Sequence, residues 1–575
     1  MPIHIAKRFY IVLPISPTMG SLQPKHKKGN DYWYWMKTER VDGAPRITQQ
    51  VYLGTADHIL EIINAFKTLP RTPLKSYKFG IAAALLSAAD DLGLLAAIED
   101  VAGKDRHNDL DMSQYLMFMV AGRCSRPMSK LRISEEFDSS YLKLLWNVKG
   151  NVSCQNILDH MDRLDDGSMK RIEDRLATAL FSRGISPERL IFDTTNMVTQ
   201  IENGGELPQK GPSKQRRYDK NLVGLALAVG TDNVPLLHET LPGNESDINV
   251  FPRVVKGIRA RLKKAGADVE SLIIIVDRGN NSKKNFDALP KSYRLVGSLK
   301  RNQVDELMDL PLDKYELLYT NKKDNDVLGY RTTKPSFGRK MTVVVQYNDA
   351  TRRKKTYTYE REIARALKAL GKIQKQLEKP PGRGRPLKKQ GLAKKVIEAL
   401  PENHPRSINW DTQEGEVEVN GRKRETWSLT FSINTEMDEY YRRGFGKTAV
   451  FTDCHEWSSE EIVRTYNSKY LVEDDSKWLK DKLLICVTPV YHRKDDRIRV
   501  HVFSCVVGLV LVRYTAWKLR DLELTPRELF EELECIRVAL VQENGTKDAN
   551  FVVEQMTQVQ SQIFSRLGLD RYIVK

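Results

Sequence analysis

The sequence predicts an α/β protein whose sheet carries acidic residues at its strand ends, and three observations predict it. First, RLIFDTTNM (189–197) and SLIIIVDRGNNS (271–282) contain apolar runs of strand length that close on Asp193 and Asp277. Second, NLVGLALAVG (221–230) and the start of VPLLHETLPGNESD (234–247) read as two more strands between them. Third, a helical stretch with Val254, Ile258 and Leu262 on one side leads into the second aspartate strand, and YRLVGSLKRNQ (293–303) follows as another strand. Such sheets bind ligands beyond their strand ends. One aspartate after an apolar strand is common; two in the same sheet make a candidate site.

Composition bounds the rest. A chain of 575 residues is too long for one core, so several domains are expected. Lys and Arg number 92 against 75 Asp and Glu, a net charge of +17, and the pI near 9.3 points to a polyanionic partner. With 41% hydrophobic residues the chain is not disordered. Cys124, Cys154, Cys454, Cys486, Cys505 and Cys535 never approach CxxC spacing, which argues against a cysteine zinc site and for reduced thiols. Neither a signal peptide nor an apolar span of about 18 residues is evident, so a soluble, intracellular protein without a membrane partner is expected.

From the N-terminus, YWYWMKTERVDGAPRITQQVYL (32–53) alternates about Val41–Pro45, a β-hairpin with Asp42 and Gly43 in its turn. DHILEIINAFKTL (57–69) has helical periodicity. Residues 76–103, rich in Ala and Leu, predict a buried helix pair, and 112–130 another helix ending near Pro127. Residues 151–184 are helical, with Leu158, Met161, Leu164, Ile172, Leu176 and Leu180 as the apolar stripe. Arg123, Arg126, Lys130 and Arg132 flank these helices as possible phosphate contacts. His238 reads as a satisfied histidine. The loop GPSKQRR holds Lys214, Arg216 and Arg217, cations suited to tracking a phosphate backbone.

Residues 448–482 carry the densest chemistry. Ser458 and Ser459 before Glu460 and Glu461 read as an N-cap and acidic first turn. On one continuous helix, Tyr466, Lys469, Glu473 and Lys480 fall within about 60° of one another at roughly 100° per residue. A carboxylate then shares a face with two cations and a phenol, whereas Asp474 and Asp475 point elsewhere. Tyr, two residues, Arg, three residues, Glu, six residues, Lys is the YREK signature, here with Lys469 in place of arginine, which keeps the charge and loses the planar fork.

With that signature, the chain resembles insertion-sequence transposases of the DDE type, in the YREK (insertion-sequence-four-like) branch. Residues 211–247, VDRGNNSKKN and PVYHRKDDRIRVHVFSCVVGLVL (489–511) are also similar to the family. The resemblance implies an RNase H-like catalytic core interrupted by a largely β insertion domain, and Asp193, Asp277 and Glu473 as catalytic carboxylates and metal ligands. It implies Mg²⁺, with Mn²⁺ as a substitute, since three carboxylates suit a hard cation. Tyr466, Lys469 and Lys480 would hold DNA. The implied partners are transposon ends and target DNA, with a homodimer on paired ends, in a prokaryotic cytoplasm beside the nucleoid. A nuclease without strand transfer and a non-catalytic, domesticated DNA-binding protein are the alternatives.

The expected organisation is a hairpin-and-helix, DNA-binding region over 1–184, core over 185–303, insertion over 304–445, core again over 446–515 and a helical tail over 516–575. Within the insertion, YELLYTNKKDNDVLGYRTT and RKMTVVVQYND read as strands and 360–378 as a basic amphipathic helix. KPPGRGRPLKK (379–389) reads as a linker, and 416–434 as a hairpin about Asn420–Gly421 in which Trp427 packs a core.

Overall fold

The structure is a computed structural model that describes residues 20–41, 44–68, 75–103, 110–124, 127–214, 217–245, 247–270, 272–276, 281–287, 289, 293–321, 323–378, 388–419, 422–480, 485–542 and 549–574. Asp42–Gly43, Arg126, Arg216, Asp277, the GRGRP stretch and Asn420–Gly421 lie outside these residues. Contacts divide the chain into two units, Met1–Ser76 with Val538–Glu554 and Lys575, and Tyr77–Arg537 with Gln555–Val574.

In the smaller unit, strands β1 (Gly20–Lys27), β2 (Asn30–Val41) and β3 (Ala44–Thr55) form an antiparallel sheet, and the helix Ala56–Thr68 follows it. The expected hairpin is β2 with β3; β1 is a third strand that the sequence reading left out. Strand β4 (Lys75–Lys78) lies at the boundary.

The larger unit is built on one nine-stranded sheet. Its strands are β5 (Arg189–Val198), β6 (Leu222–Val229), β7 (Pro235–Pro242), β8 (Ile273–Ile275), β9 (Arg294–Ser298), β10 (Glu316–Thr320), β11 (Asp326–Ser336), β12 (Arg339–Asn348) and β15 (Lys447–Thr452). β13 (Ile408–Val419) and β14 (Arg422–Ile433) form a separate hairpin. The sheet order is β10-β11-β12-β15-β9-β8-β5-β6-β7. β5 runs parallel to β8 and β8 to β9, while β5–β6, β6–β7 and every pair from β9 out to β10 are antiparallel. The α/β class expected from the apolar runs therefore holds. Strands β10 to β12, expected inside a separate β domain, instead extend this sheet through β15.

What stands apart from the sheet is smaller and mixed. The helix Asp349–Leu377, the helix Lys389–Ala399 and the β13–β14 hairpin share a core of Tyr359, Ile363, Leu370, Leu392, Val396, Ile408, Trp427 and Leu429. Trp427 packs there, as its pattern predicts.

The helix Asp495–Lys518 is long and apolar enough to cross a membrane by length and composition, so the expectation of no such span is corrected. Its most apolar window is 89% buried inside the unit. Helices Gly80–Asp91, Met112–Cys124, Cys154–Asp162 and Asp166–Ser182 surround it, and β7 packs on it. Because these helices clothe a core helix, Arg123 and Lys130 are buried, 4% and 5% exposed, and face no solvent phosphate. Arg132 is exposed and pairs with Glu136 at 2.9 Å. The tail is not wholly helical: IRVALV, read as helix, enters β16 (Arg537–Gln542), which pairs antiparallel with β17 (Ala549–Val553). Its β-branched residues prefer that pairing.

Candidate active site

Asp193 does not close β5 as the sequence reading had it. The strand runs on to Val198, because Asp193 to Val198 pair with Leu227 to Leu222 of β6. On the other side β8 is only three residues long, and its register with β5 stops at Ile191–Ile275. Asp193 therefore lies two residues beyond the last β5–β8 pair among the described residues. Leu190, Ile191 and Phe192 before it are buried, and Asp193 itself is half-buried.

Three groups converge on this stretch. Ser476 Oγ donates to Asp193 Oδ2 at 3.3 Å. Lys480 Nζ donates to Thr195 Oγ1, and Lys214 Nζ to the Thr194 carbonyl. Burial, and then Lys214, push the Lys480 ammonium below its usual range, while Asp193 pulls the other way. Two cations and a carboxylate thus share one low-dielectric edge. The loop that carries Lys214 is tied to β5, since Asn196 Nδ2 donates to the Pro212 carbonyl and the Lys214 amide donates back to Asn196 Oδ1.

The helix that brings Ser476 to Asp193 is Tyr470–Trp478, and it is not continuous with Ser459–Asn467. Between them the backbone tightens to bonds three residues apart, Lys469 N–H to the Tyr466 carbonyl and Leu471 N–H to the Ser468 carbonyl. A tighter turn advances more than 100° per residue, yet Tyr466, Lys469 and Glu473 remain neighbours across the break, while Lys480 lies beyond the second helix and bonds Thr195. Tyr466 is 5% exposed and its hydroxyl donates to Ser298 Oγ at 2.8 Å, pinning the first helix to β9. Lys469 lies over the Tyr466 ring and pairs with Glu473 at 3.2 Å. Glu473 is on the first turn of the second helix, its side chain 49% exposed, three residues before Ser476. Lys480 follows the helix end.

The second helix is clamped from behind. Arg513 of the helix Asp495–Lys518 donates through Nε to Asp475 Oδ1 at 2.6 Å and through Nη2 to Asp474 Oδ2 at 2.8 Å, and covers the Trp478 ring. Asp474 and Asp475 do face away from Glu473. Sequence reasoning missed Arg513 and Ser476; a lone arginine inside the apolar run VVGLVLVRYTAW was the available signal for the first.

The remaining candidates are engaged elsewhere. Arg217 forms a two-pronged bond with Asp219 at 2.8 Å, and Asp277 and Arg216 are outside the described residues. Asp453 ties β15 to β9 by accepting from the Leu295 amide at 2.7 Å. His238 is satisfied by Glu173, which also accepts from Arg261 at 2.9 Å. Among the described residues no three His, Cys, Asp or Glu side chains are grouped as a metal site. The Asp193 carboxylate and the Ser476 and Thr195 hydroxyls offer oxygens of the kind a hard cation takes, beside the ammoniums of Lys480 and Lys214.

One carboxylate, Asp193, thus lies with Lys480 and Lys214 beyond the last β5–β8 pair, in a strongly basic chain. Residues 185–511, more than half of the chain, match the family model described as the transposase DDE domain, and the chain belongs to that family. No curated protein matches the sequence. The chain is thus a transposase, an enzyme of transposition, and its partner is DNA.

Proposed function

We propose that this transposase belongs to the YREK branch, and that it cuts DNA at the terminal inverted repeats of an insertion sequence and joins the freed 3′-hydroxyl ends to target DNA. The observation that carries the reading is the meeting of Asp193 with the Glu473-bearing helix through Ser476, with Lys480 and Lys214 at the same edge. An RNase H-like core agrees with the strand order β7-β6-β5-β8-β9 and its mixture of directions.

In this mechanism Asp193, Asp277 and Glu473 would hold Mg²⁺. When bound, the metal supplies activation of the attacking oxygen and neutralisation of charge on the leaving one. The chain's own residues do the remaining work. Lys480 and Lys214 hold the scissile phosphate's oxygens at the edge of β5. The Lys469–Glu473 pair keeps the glutamate extended toward DNA until a phosphate draws Lys469 away. Tyr466 and Arg513 position the two helices through Ser298 and Asp475. Water, and then the 3′-hydroxyl, attacks phosphorus, and the opposite P–O bond breaks with the leaving oxygen taking up a proton. The enzyme would act as a homodimer on paired ends, in the cytoplasm beside the nucleoid.

The test is Mg²⁺-dependent cleavage of DNA carrying the flanking inverted repeats by wild type, Asp193→Asn and Glu473→Gln. Cleavage at repeat ends by wild type, with at least a hundredfold loss in both variants and binding retained, is the expected result; removal of one preorganised group of this kind costs about 10²–10³. Full cleavage by either folded variant overturns the site. Cleaved ends that are never joined to target make the enzyme a nuclease.

A further inference from the structure

The helix Asp349–Leu377 presents two opposite faces. Tyr359, Ile363, Ala366 and Leu370 are buried against the β13–β14 hairpin and the helix Lys389–Ala399. About half a turn round, Lys354, Arg361, Arg365, Lys368 and Lys372 fall within about 60° of one another at roughly 100° per residue. All five are exposed. Exposed cations on helices are usually balanced by carboxylates, and this helix does so at its start, where Arg352 and Arg353 pair with Asp349 at 2.7 and 2.9 Å. The stripe is different. None of its five cations has a carboxylate partner among the described residues, and Arg361 lies over the exposed Tyr357 ring at 5.6 Å. The nearby carboxylates are drawn off it, Glu360 to Arg442 at 3.0 Å and Glu362 to His404 at 3.3 Å.

Lys354 to Lys372 spans roughly 27 Å at a rise of about 1.5 Å per residue. That is the length of about eight base pairs at 3.4 Å each. A row of unpaired, same-sign charges of this length costs stability through self-repulsion unless a counter-charge of matching spacing covers it. We infer that this stripe is a second DNA-contact surface, separate from the Asp193 site, which lies along the sugar-phosphate backbone of duplex DNA without reading its sequence. It rests on the transposase reading for the identity of its partner. The tyrosine within it adds a ring that packs on a sugar or a cation.

The test uses the full chain carrying Arg365→Gln, Lys368→Gln and Lys372→Gln together, all solvent-exposed, beside a charge-matched control with Lys256→Gln, Lys263→Gln and Lys314→Gln. Binding to a short duplex of arbitrary sequence is measured against salt. At about 0.9 per phosphate contact, the slope of log K on log salt flattens by about 2.7 in the stripe variant, and affinity at ~0.1 M salt falls on the order of a hundredfold. The control keeps the wild-type slope. An unchanged slope in the stripe variant, or an equal loss in the control, overturns the inference. Repeat-end cleavage is scored separately: a flattened slope without any wild-type cleavage sustains the stripe and defeats the reading of the Asp193 site.

Discussion

The clamp behind Glu473 gives a prediction whose size follows from burial. Asp475 is fully buried and Arg513 is 3% exposed, with nitrogen and oxygen 2.5 Å apart. Burial pushes the Asp475 carboxyl up to about 7 against the pull of Arg513. Arg513→Met keeps the length of the side chain and removes the cation. An unpaired buried charge costs about 3–5 kcal/mol, whereas the Asp474 contact, 43% exposed on its carboxylate side, adds no more than about 1 after solvent screening. At roughly 2.1 cal/mol/K per residue, a unit of about 480 residues has an unfolding entropy near 1 kcal/mol/K, so the melting temperature falls by about 3–5 °C. The pH dependence has a definite sign. A folded-state pKa raised above the usual carboxylate value means that the folded protein binds more protons through that window, so this group's contribution to stability rises as pH falls from about 7 toward 4. Arg513→Met raises the folded pKa further, and its deficit is larger at pH 8 than at pH 6. Thermal melts across that range measure it, and Asp475→Leu with Arg513→Met recovers most of the loss, as apolar replacement of a buried pair does. A single variant that melts like wild type, or whose deficit grows on acidification, refutes the clamp.

Two further predictions follow from the same geometry. Tyr466→Phe removes one buried hydrogen bond to Ser298, so it lowers stability by about 1 kcal/mol in a denaturant titration and leaves repeat-end cleavage within a few-fold. A loss beyond a hundredfold with intact stability would put the hydroxyl on the DNA instead. Trp427→Ala empties the centre of the lobe formed by Asp349–Leu377 and the β13–β14 hairpin, and costs about 3–5 kcal/mol. Hydrogen exchange would read that loss in Leu370, Leu392 and Leu429; protection unchanged there would show that the ring is not a core residue.

The sheet was legible where its strands are buried on both faces. β6 and β8 are continuous apolar runs because both faces are covered, and such runs announce themselves without periodicity. The strand ends were harder. Nothing in RLIFDTTNM says that β6 will hold the polar half of the strand in the sheet after β8 has stopped, so Asp193 was placed at an end it does not occupy. β11 alternates as a half-exposed strand does, and alternation specifies a face but not a partner; β12 is a buried apolar run whose pattern is equally silent on its neighbour. Their joining to β15, about a hundred residues later in the chain, is a long-range fact that local pattern does not hold. IRVALV failed for a related reason, since a short apolar run fits helix and strand alike until its partner is known.

The spacing of the signature residues is legible in the sequence, whereas the break between the two helices that carry them is not. Ser468 and Lys469 tighten the turn, and the consequence is a division of labour within one motif. Tyr466, before the break, turns inward to β9 as an anchor. Glu473, after it, stays at the surface and pairs with Lys469, which stands at the break itself four residues back. Lys480 reaches Thr195 from beyond the helix end. The lysine at the arginine position is consistent with this arrangement. Its ammonium pairs with Glu473 across one turn at 3.2 Å and lies over the Tyr466 ring.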